Sequence, residues 1–207
     1  MDKLSNIFGN TARVKLLRLF LFNETQVFSL EDIKERSGLD NRVLKKEIIS
    51  LEKTECIKRK IFTKESIKKK GKKEIKVSKK MNGYIYDADF LYGDSLRHLF
   101  SLATISTHDD LAKKISTIGR VKFLVVAGVF IKDTDSRVDL LVAGDGLSAK
   151  RMETVAKNLE TEIGKEITYS IFETQDFMYR LGLYDKLIRD ILDFPHKTLI
   201  NKLGIEG

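Results

Sequence analysis

Apolar residues recur with a helical period in the first fifty positions and with a strand-like period later. In "TARVKLLRLFLFN", Val14, Leu17 and Leu21, with Leu16 and Phe20 beside them, predict a helix over 11–22 with Arg13, Lys15 and Arg18 largely on the opposite side. "SLEDIKERSG" carries start and stop signals. Ser29 and Asp32 fit a reciprocal capping box, Gly38 fits the C-terminal exit, and Leu30 and Ile33 point one way. "DNRVLKKEIISLEKT" then starts on Asp40 as a cap. It places Val43, Leu44, Ile48 and Leu51 on an inward stripe and leaves Arg42, Lys45 and Lys46 off it. Next come a strand, "CIKRKIF", with Ile57 and Ile61 as its apolar positions, a lysine-rich tip around Gly71, and a second strand, "EIKV".

The second half changes rhythm. "MNGYIYDADFLY" supplies turn residues and aromatics whose expected contacts lie within the protein. A helix follows with Leu96, Leu99, Phe100 and Ala103, capped by Asp94 or Ser95. "THDDLAKKISTIG" predicts another helix, with Thr107 and Asp110 as a capping box and Gly119 as its end. "VKFLVVAGVFI" is apolar enough for a central strand covered on both faces. "VDLLVAGD" predicts a second strand, "SAKRMETVAKNLETEIG" a helix, "KEITYSIF" a third strand, and residues 173–193 one or two closing helices. The fold class expected is α/β overall, an N-terminal α+β domain over 1–90 and a small α/β domain over 91–207.

Charge sharpens this picture. The 207 residues carry a formal net charge of +8, but residues 58–80 alone hold 12 basic and 2 acidic side chains. Residues 1–57 hold 10 basic and 9 acidic, and 81–207 hold 16 basic and 19 acidic, so the excess lies in one 23-residue stretch. A polyanion is the first partner to consider. Two helices joined by a short turn, followed by a basic hairpin, would set Arg42, Lys45 and Lys46 toward base edges. Lys68, Lys69, Lys70, Lys72 and Lys73 would lie on the sugar-phosphate backbone, with Lys58, Arg59 and Lys60 as further DNA-binding candidates. If Arg42 turns instead to Glu31 or Asp32, that helix supplies register and little discrimination. A hairpin made from lysine offers point charges rather than rigid forks, which suits backbone grip better than base reading.

Other chemistry is sparse. Cys56 is the single cysteine; it forms no internal disulfide, fits a reducing cytoplasm and is expected as a buried filler. His98, His108 and His196 are scattered, the last in a terminal helix, and read as surface or capping residues. No run of about 18 apolar residues predicts a membrane span.

Over residues 4–90 the sequence resembles the winged-helix bacterial transcription regulators, especially small ones opening on a stretch like "IFGNTARVKLLRLFLF". The resemblance implies binding to double-stranded DNA. Over about 105–195, and best in "GVFIKDTDSRVDLLVAGD", the chain resembles the minimal form of the polymerase-beta-like nucleotidyltransferase fold. That family grips nucleotide phosphates with a glycine-serine pair and two divalent ions with three carboxylates. Here the pair falls at Gly128 and Val129, Arg137 replaces the first carboxylate, Asp139 matches the second, and Ser170 occupies the place of the third. A guanidinium stays charged at any useful pH, so it repels ions or pairs with Asp139 or Asp135. Asp133 and Asp135 read as a solvated turn, with a regrouping of Asp133, Asp135 and Asp139 around one ion as the other account.

The reading is a lapsed active site. The chain is expected to be a non-enzymatic DNA-binding transcriptional regulator without a cofactor, whose second domain serves oligomerisation or ligand sensing. A homodimer and a nucleotide ligand are the further partners considered, with the apolar face of residues 177–194 either packed on its own sheet or forming the dimer interface. The alternative is an active, magnesium-dependent nucleotidyltransferase that acts on or near nucleic acid.

Overall fold

The computed structural model describes residues 3–70, 73–103, 108–131, 133 and 136–205, with the side chains of 65–70, 73–77 and 102–103 outside the description. The chain is mixed α/β with two sheets, one of two strands and one of four. It divides into two compact units, Met1–Leu102 with Thr161–Gly164, and Ala103–Glu160 with Lys165–Gly207.

In the first unit, α1 (Lys3–Ile7), α2 (Thr11–Leu21), α3 (Leu30–Ser37) and α4 (Asn41–Lys53) precede a long antiparallel hairpin, β1 (Ile57–Lys70) and β2 (Lys73–Tyr86). Local chemistry sets the helix ends. Asn10 caps α2 by accepting from the Arg13 amide. Ser29 and Asp32 form the expected box at the start of α3, and the Gly38 amide closes its end on the Lys34 carbonyl. Asp40 accepts from the Arg42 and Val43 amides and starts α4.

The core of this unit gathers Val14, Leu17, Phe20, Phe28, Ile33, Leu44, Ile48, Leu51 and Ile57. Four expected orientations are corrected. Arg18 is not on an outer face but only 5% exposed, because Phe100 of α5 (Gly93–Ala103) packs over α2 with the Arg18 guanidinium 5.8 Å from its ring centre. Leu30 and Val43 are each 37% exposed, since each stands in the first turn of its helix, at the edge of the core rather than over it. Glu47, between two apolar turns of α4, is buried in their stead. Ile61 points to solvent, 70% exposed.

The hairpin is also longer than its periodicity predicts. "TKES" continues β1, and "MNGYIY" is strand rather than turn, with Met81 opposite Phe62 and Tyr86 opposite Ile57. Phe28 joins as a bridge, exchanging backbone hydrogen bonds with Tyr84 at 2.8 and 2.9 Å. Gly83 permits that approach, because a β-carbon there would stand 2.8 Å from the Phe28 carbonyl oxygen. Cys56 lies buried at the foot of β1; burial, with Asp87 nearby, pushes its thiol up to about 12. Tyr86 is buried as expected, and Phe90 meets Tyr92 edge-on at 5.8 Å, but Tyr92 itself stands largely in solvent, 61% exposed. α5 begins at Gly93, which leaves Asp94 and Ser95 inside its first turn rather than as caps.

The second unit is built on a four-stranded sheet, order β5-β4-β3-β6, from β3 (Arg120–Val126), β4 (Leu140–Asp145), β5 (Tyr169–Glu173) and β6 (Lys197–Asn201). α6 (His108–Ser116) precedes it; its expected cap Thr107 lies outside the described residues. α7 (Ala149–Ile163) makes the crossover that parallel pairing of β4 with β5 requires. β3 pairs antiparallel with β4 and β6. From Phe123 to Val126 every β3 residue is buried, as expected for a strand covered on both faces.

α8 (Thr174–Gly182) and α9 (Lys186–Leu192) lay Phe177, Ile188 and Ile191 on Phe123, Val125, Leu141 and Ala143. The apolar face of this pair therefore packs on its own sheet, while Met178, Tyr179, Leu183, Tyr184 and Phe194 remain exposed. His196 is not helical. It stands in the loop before β6, an edge strand that periodicity did not predict. Pro195 resists helix continuation, and a strand with one neighbour carries only a short apolar alternation.

Candidate nucleic-acid interface

α3 and α4 are joined by three residues, Gly38, Leu39 and Asp40, so the capped start of α4 is held at a fixed angle to α3. A second restraint comes from inside. The buried Glu47 carboxylate accepts from Asn10 Nδ2 at 2.8 Å and from Arg13 Nε at 2.9 Å, which locks α4 against α2. Arg13 also donates to Ser50 Oγ at 3.1 Å. The side of α4 opposite these ties is free. Arg42, Lys45 and Lys46 are exposed on its first two turns, and among the described residues none of the three has a side-chain partner. Arg42 does not turn to Asp32, which is already bonded to Ser29 and to Lys64 Nζ at 2.6 Å. Asn41 and Val43 share the exposed start of the helix.

The hairpin cations divide into two groups. Lys58 is paired with Asp87 at 2.8 Å, and Arg59 forks onto Glu52 at 2.6 and 3.0 Å. Both pairs sit at the surface, where solvent and salt screen them. They fix the foot of the hairpin to its surroundings, Arg59 to α4 in particular, and they compete with any phosphate for these two cations. Lys60 is exposed and has no partner among the described residues. Lys68, Lys69 and Lys70 lie along outer β1 and Lys73 begins β2; Lys72 lies outside the described residues. Lys64, Lys79 and Lys80 belong to the same ribbon and were not singled out by the sequence, although the same charge run contains them.

Asp32 connects the two parts. Burial alone raises its carboxyl, but hydrogen bonds from Lys64 and from the Ser29 hydroxyl and amide outweigh that and hold it below the ordinary carboxylate value. One carboxylate thus caps α3 and tethers the hairpin.

In the second unit, among the described residues, those compared with a nucleotidyltransferase site do not assemble into a metal centre. Asp139 is 8% exposed, and both its oxygens are committed to the backbone. The Val129 amide donates to Oδ1 and the Thr168 amide to Oδ2, each at 2.8 Å. Its own backbone bonds Ala127 and Thr168. Gly128 sits in a 3-10 turn, Gly128–Phe130, at φ +50°, where a β-carbon would run into Asp139 Oδ1.

Arg137 pairs with Asp190 of α9 at 3.0 Å rather than with Asp139; Asp135, the other expected partner, lies outside the described residues. Its side chain is 69% exposed, so it faces solvent and blocks nothing from within. Ser170 lies on β5 opposite Leu141. Among the described residues no three His, Cys, Asp or Glu side chains gather as a metal ion requires. The described part of this set does not offer what two magnesium ions need: Asp139 turns its carboxylate to backbone donors and Arg137 carries a fixed positive charge. Among the described residues no helix is long and apolar enough to cross a membrane. No family model, curated protein or solved structure matches this chain.

Proposed function

We propose that the chain is a DNA-binding transcriptional regulator of winged-helix type. In this reading α4 enters the major groove and the lysine-rich hairpin acts as a wing on the sugar-phosphate backbone. The observation that carries it is the start of α4. Arg42, Lys45 and Lys46 stand exposed and without side-chain partners among the described residues, on a helix whose other side is locked by Glu47. Three long cations set side by side with no internal partner add little to stability. A groove lined with acceptors and flanked by phosphates gives them partners. The same unit carries the +10 stretch at residues 58–80.

The second unit, in this proposal, is a nucleotidyltransferase-like layer that has lost its chemistry and serves self-association or ligand sensing. The support is the committed state of Asp139, whose carboxylate does structural bonding between β3, β4 and β5. Selection from a random duplex pool, followed by titration of the enriched sequence at two salt concentrations, tests the proposal. Enrichment of a defined motif, with affinity falling steeply as salt rises, is the expected result. Failure to enrich any sequence, with no association at low ionic strength, overturns it.

A further inference from the structure

We infer that the outer part of the β1–β2 hairpin is an arm that follows the DNA backbone past the base pairs read by α4, extending the footprint to one side. The inference rests on the DNA-binding reading above and adds where the hairpin goes.

Length is the first argument. Each strand has 14 residues. The inner part is tied down by Lys58 to Asp87, Arg59 to Glu52, Tyr84 to Phe28, and outermost, among the described side chains, Lys64 to Asp32. Residues 65–70 of β1, paired with 73–78 of β2, run on past that tie. Six strand residues span about 20 Å at roughly 3.3 Å each. Base pairs rise about 3.4 Å, so the arm matches about six of them.

Charge pattern is the second. The register sets Lys64 opposite Lys79 and Lys70 opposite Lys73. Like charges directly opposed destabilise a ribbon, and a two-stranded ribbon by itself is only marginally stable. Lys64 is relieved by Asp32, whereas Lys79 and the neighbouring Lys80 are exposed and have no partner among the described residues. Residues 65–80 carry eight lysines against two glutamates, so the ribbon cannot neutralise itself. A duplex presents one phosphate per about 1.7 Å of axis, in two regular rows, which suits a long cationic ribbon better than scattered carboxylates do.

Two variants test this against the full chain. One replaces residues 65–78 by Asn-Gly, a turn that joins the opposed Lys64 and Lys79 in register. The other keeps the hairpin and changes Lys68, Lys69, Lys70, Lys73 and Lys76 to Thr. Hydroxyl-radical footprints on the selected duplex, and the salt dependence of affinity, are measured for all three, with circular dichroism as the folding control. Both variants are expected to keep the preferred sequence and lose protection over about six base pairs on one side. The log-affinity against log-salt slope is expected to fall by up to about 4.5 units for the five lysines of the threonine variant and up to about 5.4 for the six removed with residues 65–78, at about 0.9 for each phosphate that is no longer neutralised. Unchanged footprint and slope in the threonine variant would place the arm off the DNA, with an acidic protein as the remaining partner, and would overturn the inference while leaving the DNA reading intact. Loss of sequence preference along with the flank would also overturn it, since the hairpin would then be reading bases. If the full chain binds no duplex at all, the function proposed above falls first and the arm falls with it.

Discussion

Asp139 and Val129 are joined by the hydrogen bond that decides how the second unit is understood. The Val129 amide donates to Asp139 Oδ1 at 2.8 Å, and the Thr168 amide occupies the other oxygen at the same distance. A carboxylate in this position staples the end of β3 to the starts of β4 and β5. Hydrogen bonds to a charged acceptor contribute about 1.5–3 kcal/mol each. Asp139→Ala is therefore expected to destabilise the chain by about 3 kcal/mol in urea unfolding. Gly128→Ala is expected to approach that loss, because its β-carbon and Asp139 Oδ1 claim the same space. Magnesium titrated into the native protein is expected to give no stoichiometric binding by calorimetry; tight binding near Asp139 would restore the enzyme reading.

Glu47 makes a comparable knot in the first unit. It is 3% exposed and accepts from Asn10 and Arg13 where α2 and α4 meet. Glu47→Ala is expected to cost about 1–3 kcal/mol, since it leaves the half-buried Asn10 and Arg13 donors without their acceptor. A double-mutant cycle with Arg13→Ala should show strong coupling, and additive losses would argue that the two side chains act separately.

Asp32 gives the first unit a pH dependence of known sign. Its carboxyl is held below the ordinary value of 3.8, so it contributes stability that is fully present above that value and lost as pH falls through the lower folded one. Asp32→Asn is expected to be about 1 kcal/mol less stable than the parent at pH 7 through loss of the capping box. Melts of both proteins across pH 2–7 should converge at the acid end. A gap that persists there would mean that Asp32 acts through shape rather than charge.

Specificity should concentrate at the start of α4. Arg42→Ala is expected to relax preference at one position by about 1–3 kcal/mol, whereas Lys46→Ala should weaken all sequences alike if it meets phosphate. Val43, apolar and exposed beside Arg42, suits a thymine methyl group. Val43→Ser is expected to reduce preference for thymine at a single position in a mutated-site series, and uniform weakening would place it off the bases.

Sequence alone was enough for what neighbours in the chain decide. The Ser29–Asp32 box, the Asp40 cap and the Gly38 exit join groups within four residues, so their chemistry is visible in a string of letters. The cationic run is visible for the same reason. Tertiary structure decided the rest. Arg137 and Asp190 meet across 53 positions, Asp139 and Thr168 across 29, and Asn10 and Glu47 across 37. Periodicity reports only which face of an element is apolar, not which distant element covers it. Arg18 therefore lay hidden under Phe100, Glu47 was overlooked inside an apolar helix, and β6 had no signal apart from the strand it pairs with. A buried charge or an edge strand is stable only through partners that the fold brings from far along the chain, and those partners leave no local mark.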